Sequence, residues 1–177
     1  MADAVKRCTV IIPDAGPLIS LWVADQLSLL LKLDMRIVVI DAIYAELTRD
    51  PDNWPKDKAI KNFIQSNQPP FVIEPTRIGR AEKERTRKGE RPLRNACEIA
   101  IADFMSAEDG LGKYISSKEP VVVLWEDSDT PFMWFSHKLP NLHLLTTVGF
   151  LRGLERVSVI PCADAVIREM THPSITN

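Results

Sequence analysis

The feature that most constrains this chain is a set of short apolar runs that do not alternate with polar residues. CTVII (8–12), RIVVI (36–40), FVI (71–73), VVVL (121–124) and LHLL (142–145) are rich in β-branched side chains. A strand with one face in water alternates apolar and polar residues, whereas runs such as VVVL and TVII suit strands covered on both faces. Between the runs lie longer segments with helical patterning at 17–33, 41–50, 55–67, 94–107, 147–155 and 163–170. Strand and helix in alternation predict an α/β chain: a single three-layer α/β/α domain around a central, mostly parallel sheet of about five strands. A length of 177 residues suits one such domain and is too short for two comfortable cores.

Composition removes several classes. Hydrophobic residues at 45% and charged residues at 26% exclude a disordered chain. The three cysteines, Cys8, Cys97 and Cys162, lie far apart with no CxxC pair, so neither a disulfide framework nor a zinc ribbon is predicted. His137, His143 and His172 have no ligand-like spacing. No apolar run approaches the roughly 20 residues of a membrane span, and the run near the N-terminus is too short for a signal peptide. A cytoplasmic protein with no membrane partner is the expectation.

The net charge of −2 conceals an asymmetry. Residues 77–94, RIGRAEKERTRKGERPLR, hold eight basic and three acidic side chains, a net of +5, which leaves −7 on the remainder. Charge runs of this kind form either a solvated, salt-bridged surface or an arm that contacts phosphates.

In open α/β sheets, binding sites form outside the carboxyl ends of the strands. Asp14 follows CTVIIP, and Glu126, Asp127 and Asp129 follow VVVLW. Glu46 lies one turn into the helix after RIVVI, and Glu98 in the first turn of the helix before VVVL. Each acid also has an ordinary role open to it. Asp14 could cap the helix carrying Pro17, Asp127 and Asp129 could form a turn before Pro131, Glu46 could pair with Arg49, and Asn95 with Glu98 has capping-box spacing. Several carboxylates on one edge repel unless a cation intervenes, and oxygen donors without His or Cys suit Mg²⁺ or Mn²⁺. That chemistry points to hydrolysis of phosphate esters or phosphodiesters.

On VIIPDAGPLISL (10–21), VVIDAIYAEL (38–47), NACEIAIADF (95–104), VVVLWEDSD (121–129) and LLTTVGFL (144–151), the chain resembles the PIN-domain family of metal-dependent ribonucleases. The likeness is strongest to the toxins of bacterial toxin-antitoxin pairs and covers roughly residues 8–170. It implies a PIN-like nuclease domain over 1–170 with a basic insertion at 75–94, followed by a short tail at 171–177. It also implies catalytic roles for Asp14, Glu46, Glu98 and Asp127. Asp14, Glu98, Asp127 and the accessory Asp129 are then the ligands of Mg²⁺ or Mn²⁺. Thr146 or Thr147 matches a polar residue that lines the family's pocket. Glu90 and Asp103 remain rivals for the third acid. Cys97 stands where many relatives carry glycine, and Trp125 where Thr or Ser is common.

The function that follows is an Mg/Mn-dependent endoribonuclease, with Arg85, Arg87, Lys88, Arg91 and Arg94 of the basic arm on the RNA backbone. RNA, a small antitoxin and a second copy of the chain are the implied partners; most of Leu29, Leu30 and Leu31 should pack in the core under the sheet, while part of this surface could serve the second copy. The alternative is a PIN-like module, catalytically weak or inactive, that binds RNA or a protein. A haloacid-dehalogenase-type phosphatase fits worse because Gly16 stands where its second Asp belongs. A response-regulator receiver fits worse because Asp14 has no acidic neighbour.

Overall fold

A computed structural model describes residues 8–107, 109–116, 119–126 and 141–171. Five strands, β1 (Val10–Pro13), β2 (Arg36–Ile40), β3 (Phe71–Glu74), β4 (Val121–Trp125) and β5 (Leu142–Thr146), form one sheet in the order β3-β2-β1-β4-β5. Every pairing is parallel. The non-alternating runs occupy the middle of this order. All four residues of β1 are buried, as are four of the five in β2, while the edge strand β5 has no buried residue. Apolar runs are thus found where helices cover both faces of the sheet.

The helices are α1 (Ala15–Val23), α2 (Asp41–Leu47), α3 (Pro55–Ser66), α4 (Arg77–Arg87), α5 (Ala96–Ser106), α6 (Thr147–Arg156) and α7 (Ala163–Thr171). Two 3-10 turns lie at Leu27–Lys32 and Leu111–Lys113. No helix among the described residues is long and apolar enough to cross a membrane. The basic segment is no loose arm throughout: its first part is α4, which packs along α5.

The pattern at 17–33 predicts one helix, but the structure has α1 and then a 3-10 turn. The break falls at Asp25, whose φ of 53° lies in the left-handed region that Asp tolerates better than most side chains. The tighter 3-10 turn then buries Leu29 and Leu30 in the core, and Leu31 packs partly against it. Three consecutive leucines are accommodated inside the molecule, so Leu29 and Leu30 offer no surface to a second copy.

Strand order reverses beside β1. The chain steps from β1 outward through β2 to β3, then returns to place β4 on the other flank of β1. The carboxyl ends of β1 and β4 therefore border the crevice of a topological switch point. The Asp14 N–H donates to the Leu124 carbonyl at 2.9 Å and carries the β1–β4 ladder up to that edge.

Candidate active site

A cleft of about 520 Å³ opens at this edge, lined by Asp14, Glu46, Asn95, Cys97, Glu98 and Glu126 among others. Asp14 leaves the end of β1, Glu126 the end of β4, Glu46 stands on α2 and Glu98 in the first turn of α5. The sheet and two helices thus bring together four acids far apart in sequence. Asp127 and Asp129 lie outside the described residues.

The ordinary structural roles open to these acids are not taken up. Asp14 holds the N-cap position of α1, yet its side chain makes no capping hydrogen bond. Its Oδ1 is buried with no hydrogen-bond partner among the described residues. Burial raises the Asp14 carboxyl to about 6, helped by repulsion from Glu98, Glu46 and Glu126 and opposed by the Ala15 N–H. Asn95 does not form the capping box its spacing suggests. It adopts a left-handed conformation (φ 57°, ψ 36°) and makes no side-chain cap, which leaves Glu98 facing the cleft. Glu46 makes no ion pair with Arg49. It accepts a hydrogen bond from the Cys97 thiol instead, Sγ to Oε2 at 2.9 Å. Burial and this bond to Glu46, with Asp14 and Glu98 nearby, push the thiol up, so Cys97 stays a neutral donor.

Glu126 belongs to the cleft although Asp127 is the acid selected from sequence. Its carboxylate is held on both sides, by Ser20 Oγ at 2.9 Å and Thr147 Oγ1 at 2.5 Å. Gly16 makes room for it: a Cβ there would sit 3.1 Å from Glu126 Oε2. The only sequence signal for Glu126 is its position one residue past β4, which it shares in kind with Asp127. Of the two threonines, buried Thr147 reaches the site through Glu126. Thr146 caps α6, its Oγ1 accepting from the Gly149 N–H at 3.0 Å.

The rivals for the third acid are engaged elsewhere. Asp103 accepts from the backbone N–H of Arg77 at 3.0 Å and from its guanidinium Nε at 2.8 Å. Burial opposes its ionisation, but these Arg77 contacts hold its carboxyl below the usual range. Glu90 pairs with Arg85 at 3.3 Å.

Basic residues of the segment divide into two groups. Arg85 donates to the Arg91 carbonyl at 2.7 and 3.0 Å and closes the loop after α4. Arg87 and Lys88 both rest on Glu84, at 2.8 and 3.6 Å. Arg91 and Arg94 are exposed, with no side-chain ion pair among the described residues, and they flank Leu93, which lines the cleft. Exposed pairs such as Arg87–Glu84 are weak because water screens them, so an incoming phosphate can displace them.

Among the described residues, no three His, Cys, Asp or Glu side chains stand in metal-holding geometry. The donor set nevertheless fits a hard cation. It offers carboxylate oxygens, one of them buried and unpartnered, beside a thiol that stays protonated. Mg²⁺ is commonly held by one or two carboxylates with waters completing its shell.

A family model described as a PIN domain, the family that the sequence resembles, matches residues 10–90, from β1 to just beyond α4. Among solved structures, the chain is similar to VapBC2 from Rickettsia felis, crystallised bound to a DNA fragment from their promoter. That likeness has 15% identity, covers 78% of this chain and 98% of that chain, and has a TM-score of 0.43. Comparison with curated proteins gives no match.

Proposed function

We propose that the chain is an Mg/Mn-dependent endoribonuclease, with residues 1–170 as one nuclease unit. The observation that carries this reading is Asp14: a buried carboxylate oxygen without a partner, among three further acids at the switch point of a parallel sheet. Such a cluster is unfavourable by itself and becomes favourable around a cation.

Asp14 and Glu98, with Asp127 and Asp129, would hold Mg²⁺ or Mn²⁺, which when bound supplies Lewis acidity and a water of lowered pKa. Glu46, whose carboxylate accepts from the Cys97 thiol, would accept a hydrogen bond from the attacking water and so orient it. Glu126, held by Ser20 and Thr147, fixes the β4 side of the cleft immediately before Asp127. Arg91 and Arg94, which flank the cleft-lining Leu93, would supply positive charge for the RNA backbone, together with Arg85, Arg87 and Lys88. A small antitoxin covering the acids, and a second copy of the chain, are the protein partners of this reading.

The test is cleavage of a structured RNA by the whole protein with Mn²⁺ present. Asp14→Asn should reduce the rate at least 100-fold, on the order expected for losing an electrostatic catalytic group. Cleavage at the wild-type rate would sink the assignment.

A further inference from the structure

Next to the acid cleft, and sharing Glu46 with it, is a second hollow of about 710 Å³ lined by Glu46, Arg49, Asp50, Trp54, Lys56 and Asp57. The Trp54 side chain stands 63% exposed there. A single exposed apolar residue is ordinary. What distinguishes Trp54 is how firmly its backbone is fixed. Its N–H donates to the Asp50 carbonyl at 2.9 Å, and its own carbonyl accepts from the Lys58 N–H at 3.1 Å. Pro55, in the first turn of α3, confines Trp54 to extended backbone (φ −114°, ψ 111°).

The acids of this turn are already occupied. Asp50 accepts from Asn53 Nδ2 at 3.0 and 3.1 Å, and buried Asp57 accepts from the Asp50 N–H at 2.9 Å and pairs with Lys56 at 3.3 Å. The Arg49 guanidinium is exposed and has no partner among the described residues. The hollow therefore presents an exposed indole on a fixed stretch of backbone, with an uncommitted cation across the turn and Glu46 shared with the acid cleft.

We propose that Trp54 is a stacking platform for one unpaired base of a single-stranded RNA whose backbone runs on into the acid cleft, with Arg49 on an adjoining phosphate. The hollow is large enough for a nucleotide. An exposed aromatic face beside a cation is the arrangement that single-stranded nucleic acids use, because every base has a π-face. A duplex keeps its bases stacked on one another and has none to give. The proposal deepens the ribonuclease reading and rests on it for the direction of the strand.

The experiment measures binding of a short, labelled single-stranded oligoribonucleotide to the full chain by fluorescence anisotropy, in EDTA so that no strand is cut. Trp54→Ala should weaken binding on the order of tenfold, and Trp54→Phe should retain most of it. A strand carrying one abasic position at the stacked nucleotide should lose a similar factor against wild type and nothing against Trp54→Ala. A merely structural Trp54 would not produce that difference, and circular dichroism verifies the fold of each variant. Unchanged binding by Trp54→Ala overturns the platform, as do equal abasic penalties in both proteins or no RNA binding by wild type. If wild type cuts RNA, Asp14→Asn does not, and Trp54→Ala binds and cuts normally, the platform falls and the ribonuclease reading stands. If wild type shows the abasic effect yet cuts no RNA, the platform stands and the ribonuclease reading falls.

Discussion

Asp14 places an electrostatic burden on the fold that can be measured without any substrate. Its carboxyl is raised to about 6, against about 3.9 in an unfolded chain. The folded protein therefore binds this proton more tightly than the unfolded one. The stability that follows is fully present below about pH 4 and is lost as pH rises through about 6. Asp14→Asn carries no charge at any pH and should be more stable than wild type by about 2–3 kcal/mol above pH 7 without metal. The difference should shrink toward zero near pH 4. Urea unfolding in EDTA across this range checks it, and a gap independent of pH would mean that Asp14 ionises freely. Mn²⁺ should reverse the order at neutral pH, because a ligand of the folded state stabilises only the protein that binds it. Single residues were unevenly legible in the sequence. Asp14, Glu46 and Glu98 follow from strand ends and helix starts. Glu126 carries no signal beyond its place one residue past β4, a signal that Asp127 shares in kind. Trp54 gave no periodic signal, since its exposure arises from a turn built by Asp50, Asn53 and Asp57.

Among the elements, α4 has the most unusual attachment. Thr76 caps it, with Oγ1 accepting from the Gly79 N–H at 2.8 Å, and the same hydroxyl donates to Asp41 Oδ1 at 2.8 Å. Asp41, 5% exposed at the start of α2, also accepts from the Thr76 N–H at 3.1 Å. Gly79 closes over this carboxylate so tightly that a Cβ would lie 2.1 Å from Asp41 Oδ1. Gly79→Ala should therefore cost about 1–3 kcal/mol through overpacking, read as a lower urea midpoint with an unchanged slope. An unaltered midpoint would show that α4 can shift at no cost. The strands were almost fully legible, because β-branched runs buried on two faces have few other uses. Helix ends were less so. Asp25 and Asn95 both turn the chain through left-handed conformations, and nothing in the local apolar spacing marks such a residue.

For the molecule as a whole, the −2 net charge is the sum of a basic segment and an acidic body. RNA affinity should fall steeply with salt despite that total, because binding depends on local phosphate contacts rather than on the sum. Neutralising Arg91 and Arg94 together should flatten the plot of log affinity against log salt by about 1.4, the value for two contacts on a single strand. An unchanged slope would remove both residues from the interface. Strand order has a consequence in time as well as in space. The acids stand at residues 14, 46, 98 and 126, and the cleft has its second wall only when β4 docks against β1. A chain leaving the ribosome holds three of them before the strand that gathers them has been made. On the ribonuclease reading, a growing chain cannot attack the message that encodes it, and competence arrives in a single late step.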